Sequence, residues 1–207
     1  MDKTWAMVAT GVVVAFLGGT AGYLVLNSSG DNAFAQCPSG QAGASIGGPF
    51  TLVDGASGKT VTEVEVIDRP TLVYFGYTMC PDVCPMDMMR NAEVVDLMEE
   101  QGKDLKLAFI TVDPDRDTAQ VVADFAMNHH PKAIGLTGTE QQIKTAVNAY
   151  RAYYKLGDQT DEYYTVDHSS FTYLMLPGTG LADFYRNGAP AEEVAKGVSC
   201  FLEAQGS

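Results

Sequence analysis

Apolar and polar residues along this chain fall into blocks of distinct period. Trp5 to Leu26 (WAMVATGVVVAFLGGTAGYLVL) carries no ionisable group except one tyrosine. At ~1.5 Å rise per residue, a helix of that length crosses a hydrocarbon core of ~30 Å, so residues 1–26 read as an N-terminal transmembrane anchor. Residues 27–48 are small and polar and read as a flexible tether. From Pro49 the pattern changes again. PFTLVDGASGKTVT alternates around an Asp-Gly turn, as an edge hairpin does. TLVYFGY (71–77) is continuously apolar, which suits a central strand covered on both faces. Cys84, Met88, Ala92, Val95 and Met98 recur at helical spacing and predict a helix over about 84–100.

The remaining blocks alternate in the same way. A buried strand is predicted over 105–112, a helix over 118–128, a short strand over 133–136 and a helix from Thr139 or Glu140 to Tyr150. Strands follow at Tyr163–Val166, Phe171–Leu176 and Leu181–Tyr185, the last two joined by the turn PGTG. A final helix runs from Pro190 to about Ala204, with proline in the first turn, where its missing N–H costs nothing. Strands and helices in alternation, closed by a hairpin and a last helix, predict an α/β domain of the thioredoxin type over 49–207.

Charge narrows the function. Lys and Arg number 13 against 26 Asp and Glu, a formal net charge of -13, which repels phosphate backbones and excludes nucleic acid as a partner. The N-terminus has a competing reading as a cleaved signal peptide, because Ala33-Phe34-Ala35 has the small-x-small form of a cleavage site. The length of the apolar run and the lone Lys3 favour an uncleaved anchor, oriented N-in and C-out. Both readings export the domain.

TMCPDVCP leaves the first central strand, at the edge of an open sheet where reactive groups collect. Cys80 and Cys84 stand four apart instead of the three usual in disulfide oxidoreductases. With Cys84 in a first helical turn, the helix N-terminus stabilises thiolates there. Two such sulfurs can close a disulfide or converge on one metal ion. Three histidines are available as a further ligand. His129 and His130 sit at a predicted helix end and read as ordinary C-terminal helix residues. His168, in TVDHSSF at the mouth of a strand, is placed to reach the cysteine loop, and Asp167 beside it could orient the ring.

FGYTMCPDVCP, ITVDPDRDT (110–118) and VDHSSFTYLMLPGTG (166–180), in this order and at these separations, resemble the Sco/SenC family. The resemblance covers about Pro49 to Glu203. It implies a membrane-anchored thioredoxin-fold protein that binds copper and serves assembly of the dinuclear CuA centre of cytochrome c oxidase, with Cys80, Cys84 and His168 as copper ligands. Two thiolates and an imidazole suit trigonal Cu(I), and a fourth weak donor accommodates Cu(II). Structural zinc sites usually close with four protein ligands, and the other two cysteines lie far away in sequence. The implied partners are the oxidase subunit carrying CuA, a copper donor protein and the membrane. The implied location is the bacterial inner membrane, single-pass, with the domain in the periplasm.

Around that core, Asp113 is expected in the second ligand shell, with a turn or helix-capping role as its alternative. Met79 and Met86 could touch arriving copper, whereas Met88 shares a face with Cys84 and packs inward; Met89 crowds the same helix. Cys37 and Cys200 are expected to pair, fastening the tether to the last helix, the alternative being two unrelated thiols. The function expected is a copper metallochaperone that delivers copper to, or prepares, the CuA centre. The alternative is an enzyme, a thiol-disulfide oxidoreductase that uses Cys80 and Cys84 to reduce the oxidase's copper-ligand cysteines.

Overall fold

The computed structural model describes Phe34, Gln36, Cys37 and residues 45–205. The anchor reading (1–26) lies outside the described residues, as does most of the tether. Among the described residues no helix is long and apolar enough to cross a membrane.

Strand β1 (Thr51–Asp54) pairs antiparallel with β2 (Thr60–Thr62) across the Asp-Gly turn, and Asp54 accepts from Ala56 N–H and Ser57 O–H within it. A short helix α1 (Glu63–Val66) follows, its N-terminus closed by reciprocal bonding between Thr62 and Glu65. Then come β3 (Thr71–Gly76), α2 (Val83–Glu100), β4 (Lys106–Thr111), α3 (Ala119–His129), β5 (Ala133–Thr137) and α4 (Glu140–Ala149). Thr118 and Thr139 cap α3 and α4 by accepting from Val121 and Gln142 N–H. The chain finishes with β6 (Tyr154–Leu156), β7 (Val166–His168), β8 (Phe171–Leu176), β9 (Gly180–Arg186) and α5 (Ala191–Gln205).

Seven strands form one sheet in the order β2-β1-β5-β4-β3-β8-β9, with β3, β4 and β5 parallel and the flanking pairs antiparallel. Every residue of β3 is buried, with β4 and β8 on either side and α2 packed against it. Helix α2 packs against α5 and α3, and α3 packs over β5 and β4. Gly135 permits the last approach: a Cβ there would lie 2.0 Å from the Val122 carbonyl oxygen.

Three elements differ from expectation. The sequence pattern predicts neither α1 nor β6, and the strand expected at 163–166 is instead β7, from Val166 to His168. The cause is local hydrogen bonding. Asp158 Oδ1 accepts from Thr160 N–H at 3.1 Å and Asp161 Oδ1 from Tyr163 N–H at 2.9 Å, so side chains turn this segment before it can pair. Pairing starts only at Val166, opposite Leu156, and places His168 opposite Tyr154.

The fold also reaches further upstream than Pro49. Gly47 N–H donates to Ala149 O at 2.9 Å, the Phe34 and Phe201 rings lie 5.4 Å apart, and Cys37 forms a disulfide with Cys200 across a Cα separation of 5.7 Å. The expected pairing is therefore present, and it anchors the segment around Cys37 to α5.

Candidate metal centre

β3 ends at Gly76, and the loop Tyr77–Asp82 carries Cys80 to the start of α2. Cys84 is the second residue of that helix, as the spacing predicts. The Cys84 N–H donates to the Cys80 sulfur at 3.3 Å, so the helix N-terminus faces one of the two sulfurs. His168, the last residue of β7, puts Nε2 3.3 Å from the Cys84 sulfur. One ligand atom from each of Cys80, Cys84 and His168 lies within 4.8 Å of the others, a group able to hold a metal ion. Both cysteines are free thiols, in contrast to Cys37 and Cys200.

The imidazole is held on several sides. Its Nδ1 lies 3.1 Å from Ser169 O, which accepts from Nδ1–H and turns Nε2 toward the sulfurs. Tyr74 and Tyr77 stand perpendicular to the ring at 6.3 and 5.8 Å.

The sulfurs differ in acidity. The Cys84 thiol, the His168 ring and the backbone N–H groups of Asp82 and Cys84 pull the Cys80 pKa well below the ordinary thiol value, against the effect of burial. The Cys80 thiolate, together with complete burial, pushes Cys84 up. The pair therefore loses its first proton more readily from Cys80 than from Cys84.

Gly76 makes the space for Cys84, since a Cβ there would sit 2.9 Å from its sulfur. Beside that sulfur, Tyr74 and Asp87 are buried together. Burial raises the Asp87 pKa, while Arg90 bonds its Oδ1 at 3.2 Å.

Asp117, which the sequence reading passed over, ties the loop down. Its carboxylate accepts from Thr78 N–H at 3.0 Å and from the Thr78 and Thr111 hydroxyls at 2.5 Å each. Its carbonyl accepts from Thr137 Oγ1 at 2.8 Å. One residue therefore joins the region after β3 to the ends of β4 and β5. Burial raises its pKa, and Asp113 nearby adds to the shift.

Asp113 itself is buried and bonds Tyr164 Oη at 2.7 Å and Arg116 Nε at 2.5 Å; those contacts, not a sulfur or the imidazole, take up its carboxylate. Met88 is buried, while Met79, Met86 and Met89 are exposed. His130 bonds Asp96 at 3.3 Å and His129 bonds Phe125 O at 2.8 Å, both at the end of α3 and outside the three-residue group.

A thioredoxin-like α/β sheet with two reduced cysteines and a histidine gathered beyond the end of its central strand defines the class: a thiol protein able to hold a soft metal ion. The SCO1/SenC family pattern matches residues 38–203, and the chain belongs to that family. Protein SenC of Rhodobacter capsulatus is 50% identical over 205 residues, 98% of this chain and 92% of that protein. The crystal structure of Arabidopsis thaliana ScoI with copper bound superposes with a TM-score of 0.71 at 39% identity, covering 76% of this chain and 99% of that one. BsSco, a member of the Sco family of cytochrome c oxidase assembly proteins, shares the fold at a TM-score of 0.63 and 23% identity, covering 80% of this chain and 96% of its own.

Proposed function

We propose that the protein is a copper metallochaperone whose cargo is held by Cys80, Cys84 and His168 and delivered to, or used to prepare, the CuA centre of cytochrome c oxidase. The observation that carries this reading is the convergence of three soft or borderline donors within 4.8 Å while the other two cysteines are spent on a disulfide. The donor set fits Cu(I), which prefers thiolate and tolerates imidazole in a low-coordinate site. Cys80 offers a thiolate before the cargo arrives. Cys84 keeps its proton beside that charge and gives it up when a cation offsets the second negative sulfur. His168 already turns Nε2 toward the sulfurs, because Ser169 O takes the other ring nitrogen.

The run Trp5–Leu26 supports an anchor in the bacterial inner membrane with the domain in the periplasm, where a donor protein hands copper over and the oxidase subunit receives it. A disulfide between Cys37 and Cys200 is consistent with an oxidising compartment.

The second reading is a dithiol reductase acting on the oxidase's copper-ligand cysteines. The depressed Cys80 thiol beside a protonated partner favours it, since attack and resolution need those two states. His168 separates the readings. In a carrier, His168→Ala abolishes oxidase maturation in cells while the dithiol still reduces a test disulfide in vitro. In a reductase, the variant keeps most maturation, and an unrelated periplasmic dithiol partly rescues a deletion strain. Normal oxidase copper in the His168→Ala strain would sink the carrier reading.

A further inference from the structure

His168 reaches the cysteines at the end of a segment with little regular structure of its own. Between Leu156, the last residue of β6, and Val166, the first of β7, the chain has turns only, and Tyr163 is 72% exposed. A partly buried guanidinium and a buried carboxylate from a different loop grip this arm. Arg116 places its guanidinium carbon 3.5 Å over the centre of the Tyr164 ring and donates from Nη1 to Glu162 O at 3.3 Å. Asp113 holds both partners at once, accepting from Arg116 Nε at 2.5 Å and from Tyr164 Oη at 2.7 Å. The same guanidinium lies 5.7 Å from the centre of the Tyr77 ring, whose edge-to-face contact with the His168 imidazole is 5.8 Å.

Resting on the carrier reading above, we propose that Asp113 and Arg116 are positioning residues that clamp the 157–168 arm and thereby set where the His168 imidazole stands relative to the two sulfurs. The Arg116 Nη2 has no hydrogen-bond partner among the described residues, so what balances this cation is the Asp113 carboxylate and two aromatic faces. Only a planar guanidinium can stack on Tyr164 while forking to a carboxylate and a carbonyl; a lysine ammonium cannot. The clamp joins the arm to the loop after β4, which Asp117 ties in turn to the cysteine loop at Thr78. Metal sites tolerate ligand displacements of only about ±0.2 Å, so a slack arm misplaces the imidazole while both sulfurs stay where the α2 N-terminus holds them.

The test is made on the reduced full-length chain in detergent micelles, with Arg116→Gln, Arg116→Lys, Tyr164→Ala and Tyr164→Phe. Without metal, Arg116→Gln and Tyr164→Ala are expected to speed amide hydrogen exchange at residues 162–168 at least about ten-fold, leaving β3 and β4 unchanged. They should also shift the His168 ring nitrogen resonances from one tautomer toward an averaged signal. With Cu(II) and Cu(I) titrated separately, both variants are expected to lose about 10- to 100-fold in Cu(II) affinity, the range for residues that orient ligands, and less than about three-fold for Cu(I). Tyr164→Phe, which keeps the ring under the guanidinium, is expected to recover most of the Cu(II) affinity lost in Tyr164→Ala, whereas Arg116→Lys resembles Arg116→Gln.

Wild-type His168 resonances and exchange in Arg116→Gln and Tyr164→Ala would overturn the clamp. So would exchange that rises equally in β3 and β4, which marks a general core role. A wild-type chain that binds no copper overturns the carrier reading alone, and the metal-free measurements then still decide the clamp.

Discussion

Gly76→Ala adds one methyl group at the point where strand and site meet. The new carbon would lie 2.9 Å from Cys84 Sγ, 3.0 Å from Tyr74 Cε1 and 3.1 Å from Phe109 Cε2. A comfortable contact begins at ~3.5 Å, so the sulfur must retreat by about 0.6 Å, several times the ~0.2 Å that a metal-ligand distance tolerates. Retreat is hard, because Cys84 and Phe109 are fully buried and Tyr74 is closed in beside them. Overpacking of this kind typically costs about 1–3 kcal/mol. Restricting the unfolded chain returns about 0.4–1 kcal/mol, since Gly76 does not occupy the left-handed region. The net loss is therefore at most about 2.5 kcal/mol, or up to about 10 °C in Tm for a chain of this size. Cu(I) affinity is expected to fall at least about ten-fold, equivalent to ~1.4 kcal/mol, at temperatures where the variant is fully folded. Competition with a chromophoric Cu(I) chelator, paired with calorimetry of the same sample, measures both losses. Wild-type Cu(I) affinity in the folded variant would refute the idea that Gly76 keeps the sulfur's place.

Loss of the Cys37–Cys200 disulfide, by Cys37→Ser with Cys200→Ser, frees a loop spanning 163 residues of sequence separation. Chain entropy then sets an upper limit of about 5 kcal/mol on the destabilisation, and calorimetry should record a drop in Tm of at most about 20 °C. Cu(I) binding below the lowered Tm is expected to persist, and its loss there would mean that the disulfide shapes the site itself. The Cys80 pKa is lowered in the fold, so its thiolate persists as pH falls below the ordinary thiol value of ~8.5, and alkylation slows only once pH drops through the lower folded value. Mass-spectrometric rates for Cys80 that titrate near pH ~8.5 would contradict the charge distribution described above. Oxidation of Cys80 and Cys84 to a disulfide removes both sulfur ligands, so oxidised protein should take up no copper when dialysed against Cu(I), and reduction should restore uptake.

The parts of the fold legible in sequence are those whose causes are local or periodic. TLVYFGY reads as a central strand because burial on both faces demands an unbroken apolar run, and Thr118 and Thr139 announce α3 and α4 because their hydroxyls satisfy N–H groups that no helix can satisfy itself. CPDVC places two sulfurs at a helix N-terminus by spacing alone, and even cysteine arithmetic suffices to suggest the Cys37–Cys200 pair. Tyr163–Val166, in contrast, has the composition of a strand, yet Asp158 and Asp161 spend the neighbouring N–H groups on turns; which use prevails depends on whether a partner strand is within reach.

Tertiary structure alone decided the division of labour between Asp113 and Asp117. Both belong to DPDRD and have the same chemistry, but one carboxylate faces Thr78 and Thr111 and the other faces Tyr164 and Arg116. Gly76 is likewise one more glycine in the sequence until the fold brings the Cys84 sulfur to 2.9 Å from its absent Cβ. The sequence by itself determined the main strands and helices of the sheet and the three residue types able to bind a soft metal, though not α1 or β6, because periodicity, capping and ligand chemistry act over a few residues. The arrival of His168 beside sulfurs more than eighty residues away, and the grip of Arg116 on the arm that carries it, depend on contacts between distant segments, which exist only once the sheet has assembled.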